Sequence, residues 1–164
     1  MRRASDHGTR VTAPESSSRM RWPISSAQAA SASSSTAPSR LSNSKVFVAP
    51  TDCILSNVTV VQPDVFYIAA DRLAIISERG IEGAPTLVVE VLSPSTAHLD
   101  RGRKMKLYAE HGVLYYWIVD PESCSIEAYA LAGAAYALAG RVTSEPVALP
   151  PFSDLTVDPA LVWS

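Results

Sequence analysis

Two acids and a lysine stand out by where they sit in the chain. Glu90 interrupts the apolar run TLVVEVLS, and Asp64 opens DVFYIA directly after Pro63. In an extended segment side chains alternate, so Leu87, Val89 and Val91 share one face while Val88, Glu90 and Leu92 share the other. An ionised carboxylate among aliphatics is unfavourable unless a cation, a hydrogen-bond donor or a metal satisfies it, so Glu90 requires a partner. A structural salt bridge, or a strand end open to water, meets that need as well as catalysis does. Asp64 after proline reads equally as a turn residue or as the margin of a strand. Together, two carboxylates at neighbouring strand ends supply the hard oxygen ligands that Mg²⁺ prefers and leave positions for water and a phosphate oxygen. That combination points to phosphodiester hydrolysis rather than acid–base work on a sugar. In LDRGRKMKLYAEHGV the i, i+4 spacing lines up Asp100, Lys104 and Tyr108, with Leu107 beside them. Lys104 therefore borders the apolar side of a helix, where it either serves an attacking water or belongs to a solvated cluster with Arg101, Arg103 and Lys106. The other three read as solvated.

The elements that must position these residues follow from period and punctuation. KVFVAP, DCILS and the segment after Pro63 read as short strands forming a meander. RLAIISERGIEGAP reads as a connection, and TLVVEVLS as the clearest strand. LDRGRKMKLYAEH reads as a helix with Gly112 just past its end and His111 in its last turn. LYYWIVD and SIEAYAL are strands about the turn PESC, followed by a weaker AYALAGR and a terminal strand in LTVDPALVW. The order predicts an α+β fold, a mixed β-sheet with a flanking helix.

Composition bounds the rest. Residues 1–44 hold thirteen serines and no sustained apolar period, so they are expected to be disordered, and their Arg/Ser-rich makeup also resembles a transit peptide. Residues 45–164 are expected to form the domain. Residues 46–164 carry seven Lys/Arg against fourteen acids, a net charge near −7. Such a balance argues against broad non-specific attraction to nucleic acid, so any contact must be local. Cys53 and Cys124 have no metal-ligand spacing, which fits a reduced, cytoplasmic setting. The longest apolar runs are far short of the roughly 18 residues that suggest a membrane span, so no membrane partner is expected.

PDVFYIA followed by APTLVVEVLSPSTAHLDRGRKMKLYAEHGVLYYWIVDPES resembles the Uma-two family of bacterial restriction endonucleases, within the PD-(D/E)XK nuclease superfamily. The resemblance runs from about Val46 to Trp163, and its specificity lies in the ordered set of motifs. It implies a restriction endonuclease-like core and a metal-dependent endonuclease that hydrolyses DNA, with Mg²⁺ or Mn²⁺ held by Asp64, Glu90 and the Val91 backbone carbonyl. The superfamily's usual lysine would stand at Leu92, and the resemblance implies that Lys104 substitutes from the following helix. Ser93, Ser95, Asp100 and Tyr108 match family-typical positions and would take support and turn roles. The family's opening helix and strands have no counterpart in residues 1–44, so a miscalled start or an out-of-frame reading is expected there. The rival reading is a catalytically inactive, truncated nuclease-fold module. A homodimer through exposed edge strands is the further expectation.

Overall fold

A computed structural model describes residues 43–164. The expected disorder of residues 1–44 concerns positions that lie almost wholly outside the described residues.

Twelve short strands assort into three sheets among the described residues. The main sheet orders β1 (Lys45–Val48), β4 (Val65–Ile68), β7 (Leu87–Val91), β8 (Tyr115–Asp120), β9 (Ser125–Ala132) and β10 (Ala135–Val142) from edge to edge. Every neighbouring pair is antiparallel except β7 and β8, which run parallel. A parallel pair needs a crossover, and the helical stretch between them supplies it. That stretch has three parts: α1 (Ala97–Leu99), a π-helical turn at Asp100–Lys104, and α2 (Met105–Glu110). It stops where expected, with Gly112 at φ +76 taking the left-handed conformation that a Cβ disfavours.

Both faces of the main sheet are covered. Phe66, Ile68, Val88, Tyr116 and Ile118 pack on Tyr108 of α2 and on Cys53, Val61 and Ile81 of the second sheet. Tyr67, Leu87, Trp117, Val119, Ile126 and Ala128 pack under the C-terminal residues Leu149, Phe152 and Trp163. Burial of each large side chain contributes about 1.5–3 kcal/mol, and Phe66, Tyr108 and Tyr116 are sealed almost completely from water. The alternation read in β7 holds: Leu87, Val89 and Val91 belong to the second cluster, Val88 and Leu92 to the first.

The structure is α+β with a mixed sheet, as expected, but three local readings change. No meander forms, because β1 passes over two strands to pair with β4. β2 (Cys53–Ser56) instead joins β3 (Thr59–Val61), β5 (Ile76–Ser77) and β6 (Gly80–Glu82) in a separate four-stranded sheet, which lets Cys53 and Ile81 close the core beneath α2. The segment read as a connection holds a 3₁₀ turn at Ala70–Ile75 and the β5–β6 hairpin; its loop, Glu78-Arg79, lacks the Asn-Gly type of signal that would announce it. The terminal strand shrinks to β12 (Thr156–Val157), which pairs with β11 (Val147–Ala148). The remainder becomes α3 (Pro159–Val162), because Asp158 caps the Ala160 N–H and Pro159 suits a first helical position.

Candidate active site

Asp64 stands one residue ahead of β4. The β4–β7 register ends at Val65↔Val89, which leaves Asp64 and Glu90 as the next residues along the two chains. Asp64 Oδ2 accepts the Val91 N–H at 2.8 Å, which ties the acid to the residue after Glu90, and the Asp64 carbonyl accepts the Ala49 N–H at 3.0 Å. Proline at 63 fits here, since it ends the preceding segment without requiring a ladder donor.

Glu90 is 1% exposed. Its Oε1 accepts the Tyr108 hydroxyl at 2.7 Å and its Oε2 accepts Lys104 Nζ at 3.0 Å. The same ammonium forms an ion pair at 2.7 Å with Oδ1 of Asp100, itself 1% exposed; this contact is close but poorly aligned as a hydrogen bond. One cation thus bridges two buried acids. The π-helical turn that carries Asp100 and Lys104 is pinned by the Tyr116 hydroxyl, which donates to the Asp100 carbonyl at 3.0 Å. Single π turns are frequent at functional sites.

The electrostatics follow from burial. Desolvation pushes the Glu90 carboxyl up to about 7; Lys104 and the Tyr108 hydroxyl oppose the rise and the nearby Asp64 charge adds to it. Burial disfavours the Lys104 ammonium, yet Glu90 and Asp100 outweigh it and raise its pKa above the ordinary lysine range. Burial and Glu90 also push the Tyr108 phenol well up, so it remains a donor.

Asp64, Glu90, Lys104, Asp100 and Tyr108 therefore converge. Ser93 and Ser95 do not join them: Ser93 Oγ bonds Ser95 Oγ at 3.1 Å and Thr96 Oγ1 at 2.9 Å, and the Ser93 carbonyl accepts the Thr96 and Ala97 N–H groups. They shape the turn that starts the crossover. Leu92 packs into the core while its N–H bonds the Val119 carbonyl at 2.8 Å, so an apolar residue fits that position and the cation comes from the helix.

One sequence reading needs correction. Arg101 is not simply solvated: its guanidinium bonds Glu127 on β9 and lies 3.9 Å from Asp120. Arg141 on β10 bonds the same Glu127 at 2.6 Å, and the Tyr129 hydroxyl adds a contact at 3.1 Å. Glu127 carries the same signal as Glu90, an acid inside an apolar strand, and could have been found by the same reasoning. Arg103 and Lys106 are exposed, and Lys106 pairs only loosely with Glu110 at 3.8 Å.

Among the described residues no three His, Cys, Asp or Glu side chains are grouped to hold a metal. The donor set of Asp64 and Glu90 nevertheless suits a hard cation that retains waters. Asp64 Oδ1 has no hydrogen bond among the described residues, and each Glu90 oxygen accepts only one. No helix among the described residues is long and apolar enough to cross a membrane.

Comparison with known proteins bears on the family and the fold. The family model Uma2, described as "Putative restriction endonuclease", matches residues 25–160. The match reaches upstream of Val46, into the segment expected to be foreign, at positions mostly outside the described residues. A Synechocystis protein described as "Uncharacterized protein slr1290" is 52% identical over 46 residues, which is 27% of this chain and 24% of that protein. The chain thus aligns with about a quarter of that relative's length. The crystal structure of a "putative nuclease belonging to DUF820" from Anabaena variabilis superposes with a TM-score of 0.58 at 19% identity, covering 77% of this chain and 70% of that one. At that identity the likeness concerns the fold.

Proposed function

The chain belongs to the Uma2 family, and on that premise we propose that it is a metal-dependent endonuclease that hydrolyses DNA phosphodiester bonds. The observation that carries this reading is the pair of acids on neighbouring chains, Asp64 bonded to the Val91 N–H beside Glu90, with Lys104 bonded to Glu90. Asp64, Glu90 and the Val91 carbonyl would hold Mg²⁺ or Mn²⁺. Such an ion lowers the pKa of bound water and offsets charge on the leaving oxygen. Lys104, kept as an ammonium by Glu90 and Asp100, orients the attacking water, favours loss of its proton through its charge, and stabilises charge at the phosphate. Asp100 keeps Lys104 in place when Glu90 turns to other ligands. Tyr108 fixes the Glu90 carboxyl in one orientation.

Glu90→Ala and Asp64→Asn should each abolish Mg²⁺-dependent cleavage of DNA while the far-ultraviolet circular dichroism stays unchanged. Titration calorimetry with Mg²⁺ should show binding to the wild-type chain and its loss in both variants. Undiminished cleavage by purified Glu90→Ala would sink the assignment. A wild-type chain that neither binds Mg²⁺ nor cuts DNA would favour the inactive module.

A further inference from the structure

The turn that delivers Lys104 to Glu90 delivers a second cation elsewhere. Arg101, on the same Asp100–Lys104 turn, reaches Glu127. Strand register sets the acids in one row: Glu90 opposes Ile118, Ile118 opposes Glu127, and Glu127 opposes Arg141. Glu127 is buried, whereas Arg101 and Arg141 keep 39% and 54% of their side chains exposed. A guanidinium offers five donors, and Glu127 takes one from each arginine. Each guanidinium is thus held through one terminal nitrogen, Arg101 Nη1 and Arg141 Nη2, and keeps donors to spare, although Arg101 Nη2 also lies 3.9 Å from Asp120. A buried ion pair is weak evidence for stability, since apolar side chains of similar volume often serve as well. Two half-exposed arginines on one buried acid are better explained by what the arginines hold.

We propose that Arg101 and Arg141, fixed by Glu127, grip a phosphate of the DNA strand a few nucleotides from the scissile one; this rests on the nuclease reading above. Glu90 and Glu127 lie two strands apart, roughly 9–10 Å, a span that a strand carrying one charge per roughly 3.4 Å of axis covers within a few nucleotides. The planar fork suits bidentate phosphate contact. Because residues 46–164 carry seven Lys/Arg against fourteen acids, no broad basic field draws DNA in, and local anchors must do so.

The test is fluorescence anisotropy with a short labelled DNA duplex, in Ca²⁺ in place of Mg²⁺ and over a range of salt. Arg101→Ala and Arg141→Ala should each weaken binding about tenfold, the order of one charge-assisted contact, and reduce the salt slope by about 1. Arg141→Lys should recover the slope but only part of the affinity. Glu127→Gln removes a negative charge, so long-range attraction alone would tighten binding, whereas loss of positioning weakens it. Unchanged affinity and slope in both alanine variants, or tighter binding by a folded Glu127→Gln, would overturn the inference and leave the nuclease reading standing. If Glu127→Gln does not fold, Arg141→Ala on the exposed edge strand decides. Failure of the wild-type chain to bind the duplex overturns the nuclease reading itself, and the inference with it.

Discussion

Glu90 is an acid whose burial raises its pKa from 4.5 to about 7 in the metal-free protein. Between these values the folded chain keeps a proton that the unfolded chain has released, so stability falls as pH rises through the window, and the loss is complete above about 7. A shift of this size corresponds to about 3 kcal/mol. Urea unfolding in chelator should show wild-type stability falling by up to that amount, relative to Glu90→Gln, between pH 4.5 and 8. Parallel pH profiles for the two proteins would contradict it. On the proposed metal-dependent reading, an ion at Glu90 would displace the same proton, so Mg²⁺ affinity should climb with pH up to about 7 and then level off, with proton release visible as a dependence of the calorimetric heat on buffer ionisation enthalpy. Much at this scale was legible in the sequence: β7 alternation placed Glu90 among aliphatics, and i, i+4 spacing put Asp100, Lys104 and Tyr108 in line. The Glu127 contacts were not, because the pairing of Glu127 with Arg141 depends on a strand register that no local pattern specifies.

At the scale of elements, the π turn decides which cations meet which acids. A π turn holds one residue more than the α-helical turn it replaces, and each residue of an α-helix advances by about 100°. Deleting Gly102 should restore α-helical pitch and rotate Arg101 out of phase with Lys104, Met105 and Tyr108. Because Tyr108 is locked in the core, we expect Arg101 to leave Glu127; cleavage should fall while the melting temperature drops only modestly. Substitution at the same place should be benign. A Cβ at Gly102 meets nothing within 4 Å and the backbone is helical, so Gly102→Ala should stabilise by about 0.5–1 kcal/mol without loss of cleavage. Thermal melts and cleavage assays of the two changes together check the claim. The sequence announced the end of this helix through Gly112 but not its π turn, which answers to tertiary contacts such as Tyr116 on the Asp100 carbonyl. It also hid the second sheet, whose parallel β2–β6 pairing joins Cys53 to Ile81 across intervening strands.

For the whole molecule, the main sheet gives the site rigid footing: β4, β7 and the crossover each deliver one part, and both sheet faces are packed. β1 lies at one edge, with Val46 and Val48 64% and 59% exposed. The acidic balance of the domain makes salt and divalent ions more than bystanders, since each local cation must act against an unfavourable field. Lys104 has a consequence beyond its proposed part in hydrolysis. Seated between Glu90 and Asp100, it is a resident counter-ion that neutralises part of the site's negative charge before any metal arrives. Chelation should therefore leave the fold intact, and saturating Mg²⁺ at 100 times its Kd should add no more than about 2.7 kcal/mol. Replacing Lys104 with methionine should reverse the order of dependence: such a chain would lean on the divalent ion for its stability, melting appreciably lower in chelator and recovering with Mg²⁺. In that sense the protein carries its own place-holder, and on the proposed reading what the lysine would give up on metal binding would become free to act on the substrate.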